Sequence, residues 1–240
     1  MNLLLFKNNQ LISHSTDKLT RITGRQLQQL IQVQRCSAGD TVRVGEIDGL
    51  MGTGTIIELN DEQALLEIDL HSPAPPPTPL TLVLAMPRPK MLRRSLQTIA
   101  AMGVKQIYLI NSSRVEKSFW QTPFLKSEAL EEEFILGLEQ ARDTTMPELH
   151  IRKRFKPFVE DELPAIIKGR KNLLAHPVTE TRCPIDIQQP ATLAIGPEGG
   201  FIPYEVELLS AAGFETVHIG PRILRVETAV PALISRLFPA

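Results

Sequence analysis

The chain has 240 residues, 42% apolar and 22% charged, which suits one large domain or a small one beside a medium one. A net charge of −1 gives no general attraction to nucleic acid or to a membrane. The apolar runs are too short to cross a bilayer, and MNLLLF, followed by Lys7, is too short and wrongly flanked for a secretory signal.

The amino-terminal pattern reads mostly as strand. A helix is expected near Gly24 to Gln34, with Leu27, Leu30 and Ile31 as its apolar stripe. GDTVRVGEIDG alternates with Val42 and Val44 on one face and reaches a turn at Asp48-Gly49. GTGTIIEL and QALLEIDL follow as strands around a turn at Asn60-Asp61. Together these predict a small barrel. SPAPPPTP, Ser72 to Pro79, places five prolines in eight residues, which excludes helix and central strand. It is expected to be a linker between a domain over 1–71 and another over 80–240.

Past the linker the pattern alternates strand and helix. LTLVLAM reads as a strand buried on both faces. KMLRRSLQTIAAMG puts Leu92, Leu96, Ile99 and Ala100 on one helical face and stops at Gly103. KQIYLI is the next strand. SEALEEEFILGLEQAR is a helix with acids early and Arg142 at its end, which suits the helix dipole. LPAIIKG, NLLAHP, ATLAIGP, PYEVELLSAAG, TVHIGP and ETAVPALISRLF continue the alternation. The expected class is α/β with a mainly parallel sheet.

Cys36 and Cys183 form no CxxC and read as reduced thiols of a cytoplasmic protein. His14, His71, His150, His176 and His218 are scattered, so no metal site is expected. Charge is uneven along the chain. Arg88 to Lys126 holds eight bases against one acid, so this block is either a phosphate-tracking face or a solvated surface.

IGP occurs twice, at Ile195–Pro197 and at Ile219–Pro221. Between the copies a helix opens with Pro203 and closes at Gly213, so both turns should lie at the carboxyl edge of a parallel sheet, where α/β folds bind ligands. LLAHP, Leu173 to Pro177, is a third strand end of the same kind. The first IGP turn continues as Glu198, Gly199 and Gly200; a carboxylate there opposes phosphate, and no GxGxxG follows any strand. The second continues through Arg222, Arg225, Glu227 and Thr228, of which the last two can cap the final helix. Bare backbone, one or two acids and no phosphate-binding lysine suit an adenosine carrying a positive centre, such as S-adenosylmethionine.

IGPEGGF and, 24 residues on, IGPRILRVETA resemble the 16S rRNA uridine-N3 methyltransferases, a family of the trefoil-knotted SPOUT class. GRQLQQLIQVQRCSAGDTVRV is similar to the family's segment leading into its PUA-like barrel, PRPKMLRRSLQTIAAMGVKQI to the start of its methyltransferase domain, and EQARDTTMPELHI to its Glu-Gln helix end. The chain departs from the family at Gln97, where Lys and a Thr-Glu-Leu-Gly run are usual, and at Asp143, where Arg is usual. Both positions are expected on the RNA side.

The resemblance implies a carboxy-terminal knot, a homodimer through the knotted domain, and 16S rRNA within the 30S particle as substrate. It places cofactor contacts at Leu174, Ala175 and His176, at Ile195, Gly196, Pro197, Glu198, Gly199 and Gly200, and at Ile219, Gly220, Ile223, Leu224, Arg225, Val226, Glu227 and Thr228. Arg225 or Arg222 is expected to stabilise charge on the base or to grip a phosphate, Glu198 to shape the pocket, and Glu227 to be a weak candidate base. Arg21, Arg25, Arg35, Arg88, Lys90, Arg93, Arg94 and Arg114 are the candidates for RNA contact. The rival readings are an RNA-binding or ribosome-assembly factor that keeps the fold without catalysis, and a nucleotide-dependent enzyme of ordinary doubly wound topology.

Overall fold

The computed structural model describes residues 2–14 and 17–239, and the chain divides into two compact units, 1–76 with 135–146 and 77–134 with 147–240. In the first unit, β1 (Leu4–Phe6), β2 (Leu11–His14), β3 (Asp17–Ile22), β4 (Thr41–Glu46), β5 (Met51–Leu59) and β6 (Ala64–Ser72) form one sheet in the order β1-β4-β5-β6-β3-β2. Only β1 and β4 pair in parallel. The sheet curls around Phe6, Ile22, Val44, Ile56 and Leu66, which are buried because alternate residues of each strand face inward. Helix α1 (Gly24–Gln28) continues as a π turn over Gln29–Gln34, and its Leu27 and Leu30 enter the same core. Arg35 ends it in the left-handed region at φ 55°.

The second unit holds β7 (Thr78–Ala85), α2 (Pro89–Ala101), β8 (Val104–Ile110), the start of α3 (Ser127–Ala141) and β9 (Glu148–Arg152). It continues through α4 (Phe155–Pro157), a π segment over Phe158–Glu162, α5 (Leu163–Ile166), β10 (Lys171–Ala175), β11 (Ala191–Ile195), α6 (Pro203–Ala211), β12 (Glu215–Val217) and α7 (Val226–Leu237). Its sheet is parallel throughout, in the order β12-β10-β11-β7-β8-β9. Every residue of β11 is buried, as are the last six of β7, because helices cover both faces. Burying a side chain such as Leu193 or Leu82 contributes about 1.5–3 kcal/mol, so these short apolar runs are strongly fixed.

Register matters most here. Ala175 at the end of β10 pairs with Ile195 of β11 on one side and with Val217 of β12 on the other. Three strands therefore stop level at one carboxyl edge, and the turns that follow them share one place. Gly103 (φ 74°) and Gly213 (φ 107°) end α2 and α6 as expected of left-handed stops. Among the described residues no helix is long and apolar enough to cross a membrane.

Candidate functional site

The three level strand ends open into a cleft of about 250 Å³. It is walled by Ala175 to Pro177, by Ile195 to Gly200, and by Val217 to Gly220 followed by Arg222, Ile223 and Leu224. Val226, Ala229 and Leu233 of α7 close the side. The lining is mostly apolar side chain and bare main chain, the usual composition of a small-molecule site.

The glycine turn cannot carry side chains at its base. A Cβ on Gly196 would stand 3.0 Å from the Phe201 nitrogen and 3.1 Å from its ring. The Gly200 N–H donates to the Pro197 carbonyl at 2.7 Å and tightens the turn. Among the described residues, the N–H groups of Glu198, Gly199 and Leu224 meet no protein acceptor and are open to solvent at the cleft wall. The Glu198 carboxylate accepts the Arg88 N–H at 3.0 Å, in front of α2. Arg114 donates to the Gly199 carbonyl and lies along that glycine. The turn is thus fastened from outside by the loops that follow β7 and β8.

Two histidines in the cleft behave alike. The Val178 N–H donates to His176 Nδ1 at 3.2 Å, and the Gly220 N–H donates to His218 Nδ1 at 3.2 Å. Each Nδ1 also stands near the carbonyl of the same residue, 3.2 Å from Val178 and 3.3 Å from Gly220, so each ring is anchored at Nδ1 and the tautomer sets whether Nε2 donates or accepts. Among the described residues no trio of His, Cys, Asp or Glu is gathered as a metal site.

The cleft brings together Ala175, His176, Ile195, Gly196, Pro197, Glu198, Gly199, Gly200, Ile219, Gly220, Ile223, Leu224, Val226 and Arg222. Leu174 is fully buried beneath it, and Arg225, Glu227 and Thr228 lie outside its wall. The helix start differs from the capping expected of Glu227 and Thr228. Arg225 is the N-cap of α7, no side chain caps it, and the Thr228 and Ala229 N–H groups donate to the Arg225 carbonyl. Val217, His218, Ala229 and Leu233 are cleft residues that the sequence did not reveal, whereas Pro177 was legible as the stop that ends LLAHP. For His218 a signal existed: it stands two residues before a glycine N–H, the spacing at which a ring nitrogen can accept from it.

The candidate RNA-contacting residues divide. Arg88, Lys90 and Arg94 are exposed on or before α2, as are Arg21 and Arg35 in the first unit. Arg93 is held by the buried Glu133, which also accepts from Gln97, and its guanidinium lies 4.8 Å from the Phe124 ring centroid. Arg25 pairs at 2.8 Å with Glu139, which is 3% exposed, and Arg114 is committed to Gly199. Asp143 is also 3% exposed and accepts the Thr145 N–H, so its side chain does not present a surface to RNA.

Fold and site define an α/β domain with a cleft of small-molecule size at the carboxyl edge of a parallel sheet. Residues 74–238 match the family described as RNA methyltransferase domain. The chain is 29% identical to the ribosomal RNA small subunit methyltransferase E of Treponema pallidum, over 97% of this chain and 88% of that one. It is 30% identical to methyltransferase E 1 of Borreliella burgdorferi over 61% of each. A putative methyltransferase of Legionella pneumophila, solved with bound S-adenosylmethionine, superposes with a TM-score of 0.74 at 22% identity, covering 98% of this chain and 95% of that one. The methyltransferase E of Neisseria gonorrhoeae, also bound to S-adenosylmethionine, gives 0.72 at 21% with the same coverage. The chain belongs to this RNA methyltransferase family.

Proposed function

We propose that the protein transfers a methyl group from S-adenosylmethionine to N3 of one uridine in 16S rRNA. The observation that carries this reading is the level ending of β10, β11 and β12, which gathers the three turns into one cleft. The cleft fits the donor: main-chain N–H groups and the imidazoles of His176 and His218 suit the polar ring and ribose atoms of an adenosine. Glu198 suits a positive centre, and no lysine lines the wall to hold a phosphate. When bound, S-adenosylmethionine supplies a methyl group already activated by its sulfonium.

The chain's own task is orientation and charge. The N3 proton of uracil is too weakly acidic to leave unaided at neutral pH, so charge on O2 or O4 must be stabilised as the proton departs. Arg222 is exposed on the cleft wall and Arg225 is exposed just beyond it. Glu198 is occupied by the Arg88 N–H and shapes the turn. Glu227, in the first turn of α7, remains the candidate base. The target nucleotide must leave its stack to enter.

The same reading makes the first unit a PUA-like RNA-binding barrel, the 30S particle the substrate, and a homodimer of knotted domains the working form. Support for the knot comes from the segment between β10 and β11. It bonds to β12's end (Cys183 N–H to the His218 carbonyl) and to α7's end (Asp186 and Ile187 N–H to Arg236 and Leu237 carbonyls). Support for the dimer comes from Val178, Ile185 and Ile223, which are 81%, 65% and 83% exposed and would be covered by a second copy.

The test is transfer of labelled methyl to 30S particles lacking the modification, followed by primer extension. A methyl on N3 blocks the Watson–Crick edge, so extension stops at the modified uridine. Incorporation without such a stop would refute the N3 assignment. No incorporation, with no donor binding by calorimetry, would refute the enzyme reading.

A further inference from the structure

The loops after β8 and β9 carry a second constellation beside the cleft's edge. Ile110 and Arg152 end these strands in register, and the Asn111 N–H donates to the Arg152 carbonyl at 2.9 Å. The two loops therefore leave the sheet together. In the first, the half-buried Trp120 is fixed by its Nε1–H, which donates to Asn111 Oδ1 at 2.9 Å. In the second, Lys153 places Nζ 5.8 Å from the Trp120 ring centroid. Neighbouring cations are neutralised: Arg152 pairs with Glu162 and Lys156 with Glu160. Lys117, Lys153 and Arg154 are exposed and, among the described residues, have no acidic partner. The first loop also fastens the glycine turn, since Ser113 bonds to Glu205 and Arg114 to Gly199.

Resting on the methyltransferase reading, we propose that Trp120, Lys117, Lys153 and Arg154 form a platform for single-stranded RNA flanking the modified base. A held indole can stack with any base once the Lys153 ammonium, which stands over the ring, swings to a phosphate, and Lys117 and Arg154 can meet the phosphates on either side. An aromatic ring with free cations is the chemistry of single-strand binding and needs no base-specific contact. Because the platform sits on the loop that holds the cofactor turn, RNA seated there would enter beside the cleft.

The experiment measures binding of an oligouridylate of about twelve nucleotides across a salt series, with donor affinity and thermal unfolding measured alongside. Trp120→Ala is expected to weaken binding roughly 5- to 150-fold and Trp120→Phe to retain most of it. The exposed pair Lys153→Ala with Arg154→Ala is expected to lower the slope of log affinity against log salt by about 0.7 for each phosphate that is no longer neutralised. Donor affinity and melting temperature should stay at wild-type values in that pair. Unchanged oligonucleotide affinity and slope in all variants would overturn the platform. Equal binding of an oligoglutamate of matched charge would overturn it too. If the wild type methylates 30S particles and the variants do so with unchanged KM, the platform fails while the methyltransferase reading stands. If the wild type methylates nothing but oligouridylate binding falls as expected, the platform stands and that reading fails.

Discussion

The Ser113 backbone N–H donates to Glu205 at 2.6 Å, across 92 residues of sequence, while the other oxygen of the same carboxylate accepts the Ile202 N–H at 3.0 Å. Glu205 is 3% exposed, and among the described residues it has no cationic partner. Its charge is offset by two main-chain donors, one from the loop after β8 and one from the N-cap of α6. The Gly196–Gly200 turn lies directly before that N-cap. One buried side chain therefore sets the end of the turn against the loop that carries Arg114.

Replacing Glu205 by Gln tests this. An amide can accept one of the two N–H groups, but its NH₂ faces the other. A buried unsatisfied pair of this kind costs about 1–3 kcal/mol. A lower melting temperature and weaker S-adenosylmethionine binding by calorimetry are expected together. Wild-type values of both would show that the carboxylate does not hold the turn.

Gly196→Ala probes the floor of the same turn. The new methyl would press on the Phe201 nitrogen at 3.0 Å, and Phe201 is 5% exposed within the core, so neither neighbour can withdraw freely. Overpacking of this kind costs about 1–3 kcal/mol. Donor affinity should fall roughly 5- to 150-fold, with far-ultraviolet circular dichroism unchanged. Undiminished affinity would place the donor elsewhere.

How legible this site was depended on where its information lay. β7, β10 and β11 are buried on both faces, so each reads as an apolar run, and Gly-Pro or His-Pro stops mark where two of them end. The carboxyl-edge cleft followed from those stops. β9 did not, because Glu148–Arg152 is an edge strand with no fully buried residue and mixed polarity. The capping assignment of Thr228 failed for a local reason. A threonine before an apolar run resembles an N-cap, yet the helix starts three residues earlier at an arginine with no side-chain acceptor. Glu205 and Ser113, or Trp120 and Lys153, meet only because parallel crossovers bring distant loops to one edge, and no local pattern encodes that.

The sequence reading leaves Arg225 or Arg222 as the charge-stabilising residue, with only Arg225 among the expected cofactor contacts, and the structure separates them the other way. Arg222 lines the cleft, whereas Arg225 contributes its carbonyl to the start of α7 and lies outside the wall. If either guanidinium stabilises the deprotonating base, its alanine variant should keep donor affinity and lose at least roughly tenfold in kcat/KM, about 1.4 kcal/mol. Arg222→Ala is expected to show the larger loss. Full transfer by both variants would remove the arginines from the chemistry. A fall in donor affinity alone would assign Arg222 to cofactor binding.

Cys183 gives a prediction in pH. Burial pushes its thiol from an ordinary value of 9.0 up to about 11, against the opposing pull of Arg236, whose Nε donates to the Cys183 carbonyl at 2.7 Å. The folded state therefore keeps a proton that the unfolded state releases first. That contribution to stability is complete below the unfolded value and is lost as pH rises through the folded one, so the window runs from about pH 9 to about pH 11. Urea unfolding of wild type and Cys183→Ala across that window isolates the effect, because lysines and tyrosines titrate alike in both. The stability difference between the two proteins should be constant below pH 9 and shrink toward pH 11 as wild type loses its advantage. A difference that stays constant through the whole range would mean that the folded thiol ionises as easily as an exposed one.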